Sequence, residues 1–256
     1  VAIPYLRGLT AAQRTPRANL HLAYVLIFVA GAVNAGGFLA VAQYTSHMSG
    51  IVSAMADHLA VGSAILVVQG LAALLAFVCG AATSAWLINF ARRGRLASEY
   101  ALPLLLEAAL LLLFGLMGAS VERFLWLYLP LTVILLCYIM GLQNAMITKV
   151  SRAEIRTTHI TGMVTDIGIE LGKFLYWNAR ATAAPRVVAD RQKLRVLSLM
   201  VALFFVGGLT GALAYARLGF AATLPLALLL AGLAIVPVLD DVRAMFGRRA
   251  ERMRRR

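Results

Sequence analysis

Two hexapeptides, Thr45-Ser-His-Met-Ser-Gly50 and Thr157-Thr-His-Ile-Thr-Gly162, place two of the chain's 4 histidines in nearly the same setting. Each supplies hydroxyls (Thr45, Ser46 and Ser49; Thr157, Thr158 and Thr161), an imidazole (His47; His159) and a glycine (Gly50; Gly162). Ser and Thr ahead of a helix act as caps, and a helix N-terminus leaves backbone N–H groups pointing outward. Such a cluster of donors suits an anion or a carboxylate. The imidazoles, with an ordinary pKa of ~6.5, add charge or shuttle a proton. Matched asparagines, Asn34 in Gly31-Ala-Val-Asn-Ala35 and Asn144 in Gly141-Leu-Gln-Asn-Ala145, precede the two motifs and either line the site or brace it. Asp57, Asp166, Glu170 and the isolated Glu107 are the candidate coupling carboxylates. Cys79 and Cys137 stand singly in apolar surroundings with no metal-ligand spacing, and no hydrolase elbow, zinc-protease or phosphate-loop motif occurs. No cofactor, no metal and no enzymatic activity is therefore expected.

The elements that must position these groups are set by apolar composition. With 61% hydrophobic and 14% charged residues, the chain reads as an all-α polytopic membrane protein. A spanning helix needs about 20 mostly apolar residues, and six stretches qualify: about 20–42, 62–90, 101–119, 125–148, 195–216 and 220–239. The first exceeds the apolar core of about 7–15 residues found in a cleaved signal, so it is expected to be retained. The net charge of +13 raises nucleic acid as a partner, yet the basic residues lie where a membrane topology wants them. With a cytoplasmic N-terminus, every Lys and Arg falls inside except Arg123 and Arg217, which orients both chain ends to the cytoplasm. The basic tail, 242–256, is read as a topology anchor, and nucleic acid is not an expected partner; membrane lipid is.

The chain is internally repeated. Besides the hexapeptides and the G-x-x-N-A strings, Leu74–Gly80 resembles Ala202–Gly208 and Leu102–Leu106 resembles Leu224–Leu228. The repeats run over about 18–120 and about 124–241 within a single transmembrane domain, three spans each. An odd number of crossings per repeat forces the second copy to enter from the opposite side, giving inverted-topology repeats. The charge count, made independently, assigns the same topology. The strings GAVNAGGFLAVAQYTSHMSG and GLQNAMITKVSRAEIRTTHITGMVTDIGIELG resemble the YoaK-like family of bacterial inner-membrane proteins. That resemblance covers nearly the whole chain and implies a six-helix protein of the bacterial inner membrane, with no activity to carry over. Many members are expected to have an acidic residue where this chain has Asn34, which weakens proton coupling there.

Residues 49–60 and 161–173 are helical in pattern but too short or too polar for a standard span, so broken or re-entrant helices are expected at both motifs. Gly168 and Gly172 offer a small-residue face for close packing, and the Gly207, Gly208 and Gly211 cluster another. Opposed half-helices meeting near the midplane, their positive ends on one shared site, make a carrier for a small solute, an anion or carboxylate in preference to a cation, with the proton as a coupling ion. The alternatives are an ion or solute channel, or a protein in which His47 and His159 hold haem or a metal. As plain interhelical glue the same polar groups contribute ~0.6 kcal/mol per bond. Against that stands the duplication of groups whose charged members each cost ~2.5–3.5 kcal/mol at the bilayer centre. A homodimer is compatible with six short spans.

Overall fold

A computed structural model describes residue 9 and residues 15–94, 96, 98–121, 125–150, 158–178 and 186–254. All regular structure among them is helical. In chain order the elements are α1 (Pro16–Val41), α2 (Met48–Ala60), α3 (Ala64–Arg93), α4 (Ala101–Val121), α5 (Leu125–Val150), α6 (Ile160–Leu175), α7 (Arg191–Leu218), a 3-10 turn (Gly219–Ala222) and α8 (Thr223–Arg254). Local chemistry sets several ends. Thr15 caps α1 by accepting the Ala18 N–H at 3.2 Å, with Pro16 opening the first turn. Asp190 caps α7 by accepting from the N–H groups of Gln192 and Lys193 at 3.0 and 2.9 Å.

Five segments of the described residues are long and apolar enough to cross a membrane, the fifth, Arg191–Arg243, taking in both α7 and α8. Only 17% of the most apolar window of α3 is buried inside the protein. So greasy a surface is stable against lipid and not against water. With 13 and 16 residues, α2 and α6 are about 20 and 24 Å long, short of a hydrocarbon core of about 30 Å.

Two parallel crossings organise the bundle, α1 on α7 and α3 on α5. In the first, Gly31 lies against the Phe204 carbonyl, Gly207 against that of Phe28 and Gly211 against the Ala32 backbone. In the second, Gly141 lies against the Phe77 carbonyl and Gly80 against that of Tyr138. A side chain at any of these glycines would collide with backbone, so only glycine lets the helices approach this closely. The two crossings are built alike: Phe28 and Tyr138 each stand three residues before a crossing glycine, as do Phe77 and Phe204. This corrects the sequence alignment by one residue, since packing sets Gly80 against Gly207 and not Gly208. Aliphatic strings tolerate such a slip; backbone contact does not.

The short helices fold back on the helix that follows. In α2, Ile51 and Met55 pack on Gly70 of α3, and α6 runs antiparallel along the start of α7, as the pairs Lys193–Asp166 and Asp190–Glu170 require. The turn between α2 and α3 uses Gly62 at φ +76°, a left-handed conformation that favours glycine. Antiparallel to α4, α8 and the 3-10 turn before it pack Thr223 and Phe220 near Gly115 and Gly118 at one end, and α8 binds the Ser98 N–H and hydroxyl through the Asp241 carboxylate at the other. The face expected at Gly168 and Gly172 is absent: a Cβ at either would meet nothing within 4 Å. Small residues four apart create a flat stripe, but here no described element lies on it.

Candidate functional site

At the end of α1 the chain turns through Ala42 in the left-handed region (φ 53°) and reaches the first hexapeptide. Behind it, the Ser46 hydroxyl donates to Asn34 Oδ1 at 2.8 Å. In the second motif the Thr158 N–H and hydroxyl donate to Asn144 Oδ1 at 3.3 and 3.0 Å, while Asn144 Nδ2 donates to the Met140 carbonyl at 2.8 Å. The matched asparagines thus brace the matched hydroxyl residues. Thr45 is fully buried, its hydroxyl without a partner among the described residues.

The cap position differs from the sequence expectation. His47 and His159, and not a Ser or Thr, are the N-cap residues of α2 and α6, and neither side chain caps by hydrogen bonding. Their backbones match closely, at φ −93°, ψ 72° and φ −84°, ψ 54°. Each ring folds back over the glycine three residues on, so that a Cβ at Gly50 or Gly162 would strike the imidazole. That is the physical reason for His-x-x-Gly: the glycine leaves room for the ring at the helix N-terminus. The preceding Ser46 and Thr158 are committed to asparagine, which removes them as caps.

Beside the first motif, α2, the start of α3 and the start of α5 enclose a cleft of about 390 Å³. Gln43, Tyr44, His47, His58 and Gln69 supply its polar groups, and Met55, Leu66 and Pro130 are among its apolar walls. Among the described residues no Asp, Glu, Lys or Arg lines it. Of the sequence candidates, His47 and Gly50 border the cleft, Asn34 stands behind Ser46, and Ser49 and Asp57 are exposed away from it.

Thr158, His159, Thr161 and Gly162 do not line the cleft, and Thr157 lies outside the described residues. Among the described residues the cleft takes in the first motif and not the second. The cleft touches α5 at 129–134, whereas Thr158 binds the same helix at Asn144; ten residues of α-helix separate these points by about 15 Å. Two residues that are not among the sequence candidates, His58 and Gln69, line the cleft. Their signal was present in the α2 pattern, where 47, 50, 51, 54, 55 and 58 share a face, but only the fold-back onto α3 selects that face.

The carboxylates have separate fates. Asp166 pairs with Lys193 at 3.2 Å, both half-exposed. Glu170 is buried, taking Lys173 Nζ at 2.9 Å and the Asp190 N–H at 2.8 Å. The Lys173 contact, then that backbone N–H, hold its carboxyl below the usual carboxylate range. Glu107, deep in the bundle, accepts from Gln143 Nε2 at 2.8 Å, leaving Glu107 Oε2 and Gln143 Oε1 buried without partners among the described residues.

A family model described as a protein of unknown function (DUF1275) matches residues 22–236. The chain belongs to this family. YoaK-like proteins fall within it, in agreement with the resemblance of the motif strings. No curated protein and no solved structure matches the chain.

Proposed function

We propose that the chain is a multi-pass carrier of the bacterial inner membrane, both ends cytoplasmic, for a small anionic or carboxylate-bearing solute. Six crossings, arranged as two inverted three-helix repeats, form the carrier, and α2 and α6 are re-entrant half-helices. The cleft of about 390 Å³ beside the α2 N-terminus carries this reading. Its volume falls in the range of small-molecule sites, about 300–1,000 Å³. It combines apolar walls with the positive end of a half-helix, and among the described residues no carboxylate lines it to favour a cation. The like construction of the α1–α7 and α3–α5 crossings supports an inverted duplication, because exchanging the halves maps one crossing onto the other. In this reading His47 and His58 meet the solute from the outer side, and the His159 motif meets it from the inner side.

The test is uptake into proteoliposomes across a panel of small carboxylates and halides. A carrier gives saturable counterflow that His47→Ala or His58→Ala reduces at least about tenfold, the scale of one lost charge-assisted contact. Unitary currents in place of counterflow would establish the channel alternative. Absence of both across the panel, with the histidine variants indistinguishable from the parent, sinks the proposal.

A further inference from the structure

We infer that Asp166, Lys193 and Glu170 form a latch closing the inner counterpart of the cleft; this rests on the inverted-carrier reading above. The two hairpins, α2–α3 and α6–α7, can be set in register residue by residue. His47 with His159 and Gly50 with Gly162 align α2 with α6, so Ile51 corresponds to Met163, Ala54 to Asp166 and His58 to Glu170. The crossing glycines Gly80 and Gly207 align α3 with α7, so Leu66 corresponds to Lys193, Gly70 to Leu197 and Ala73 to Met200.

Under this correspondence Ala54, His58, Leu66 and Gly70, four residues bordering the open cleft, are replaced in the second hairpin by Asp166, Glu170, Lys193 and Leu197. In the first hairpin Gly70 admits Met55 of α2, and Ala54, Met55 and Gly70 together border the open groove. In the second hairpin Met163, Leu197 and Met200 are all buried. The Lys193–Asp166 pair spans that hairpin at 3.2 Å. One turn along α6, Glu170 ties α6 to the first turn of α7 through the Asp190 N–H and is itself held by Lys173. The same groove thus occurs twice, open at one end of the bundle and shut at the other. Its closing groups are ionic and lie at the end rich in basic residues, which the charge bias makes cytoplasmic. A half-exposed ion pair is individually weak, which suits a contact that must break once per transport cycle. Alternating access requires such an inner closure whenever the outer cleft is open.

The experiment is thiol labelling of Leu197→Cys in full-length protein carrying Cys79→Ser, in inside-out vesicles, with a membrane-impermeant maleimide as probe. Labelling is slow with the latch intact and rises about fivefold or more in D166N/E170Q. The charge-swapped D166K/K193D returns it toward the slow rate. Should D166N/E170Q fail to fold, K193Q, at a half-exposed position, tests the pair alone. Unchanged labelling in folded latch variants overturns the latch. Failure of the carrier reading has a different signature: labelling still responds to the latch, but no solute in the panel is transported.

Discussion

At the scale of single residues, the two asparagines do the same job with unequal stakes. Asn34 Oδ1 accepts one hydroxyl, from Ser46, whereas Asn144 Oδ1 accepts a backbone N–H and a hydroxyl from Thr158 and its amide also donates to Met140. Asn34→Ala is expected to cost about 1 kcal/mol and Asn144→Ala about 2–3 kcal/mol, measured as detergent-phase unfolding of the two variants side by side; equal losses would deny that Asn144 holds the second motif. A pH dependence belongs to Glu170, whose folded pKa lies below the ordinary 4.5. A depressed carboxylate contributes stability that is fully present above its unfolded pKa and is lost as pH falls through the folded value. Glu170→Gln should therefore lower stability at pH 7 and flatten its decline in the acid range below about 4.5, seen as converging melting temperatures of parent and variant on acidification. The matched motifs and the bracing asparagines were legible in the sequence because they recur. The histidine caps were not, since propensity favours short oxygen-bearing side chains there and only the fold commits Ser46 and Thr158 to asparagine.

Among the elements, glycine separates what a sequence pattern tells from what a contact tells. In the sequence Gly168, with Gly172, reads as a close-packing position, whereas Gly141 stands out only within the repeated G-x-x-N-A string. Yet Gly141 meets the Phe77 carbonyl, and Gly168 meets nothing within 4 Å. Gly141→Ala should destabilise by about 1–3 kcal/mol, because backbone must move to admit the methyl group. Gly168→Ala should be neutral or stabilise by up to about 1 kcal/mol, the ordinary gain of Ala over Gly inside a helix. Thermal unfolding of both purified variants reads the difference, and a loss at Gly168 as large as at Gly141 would contradict the exposed face. Hydropathy made the long apolar helices legible, and the short polar character of 49–60 and 161–173 made α2 and α6 legible. The direction in which these short helices fold back was not, because it depends on Gly70 admitting Met55 and on Asp190 and Lys193 meeting α6.

In the whole molecule, the proposed duplication makes the two halves alike in scaffold and unlike in a handful of side chains. The crossings that carry the bundle are duplicated nearly atom for atom at Gly31, Gly80, Gly141 and Gly207, so the scaffold itself gives no reason for one groove to be open and the other shut. The asymmetry lies in Gly70 against Leu197 and Ala54 against Asp166, differences that are plain in the sequence once the halves are aligned but mean nothing until the hairpins bring those positions together. It follows that the open half can be shut by making it resemble its counterpart. Gly70→Leu puts a branched side chain where Met55 and the cleft now meet. Inserted methylenes displace a flexible methionine toward empty space here and do not strike backbone, so the stability cost should stay below about 1 kcal/mol. Solute flux, in contrast, should fall at least about tenfold, since about 390 Å³ of space loses one wall to a side chain as large as those that fill the second hairpin. Counterflow and unfolding measured on the same Gly70→Leu preparation decide between the two accounts of the cleft. Full flux in a well-folded variant would mean that solute passes elsewhere in the bundle; lost flux at unchanged stability would place it between α2, α3 and α5.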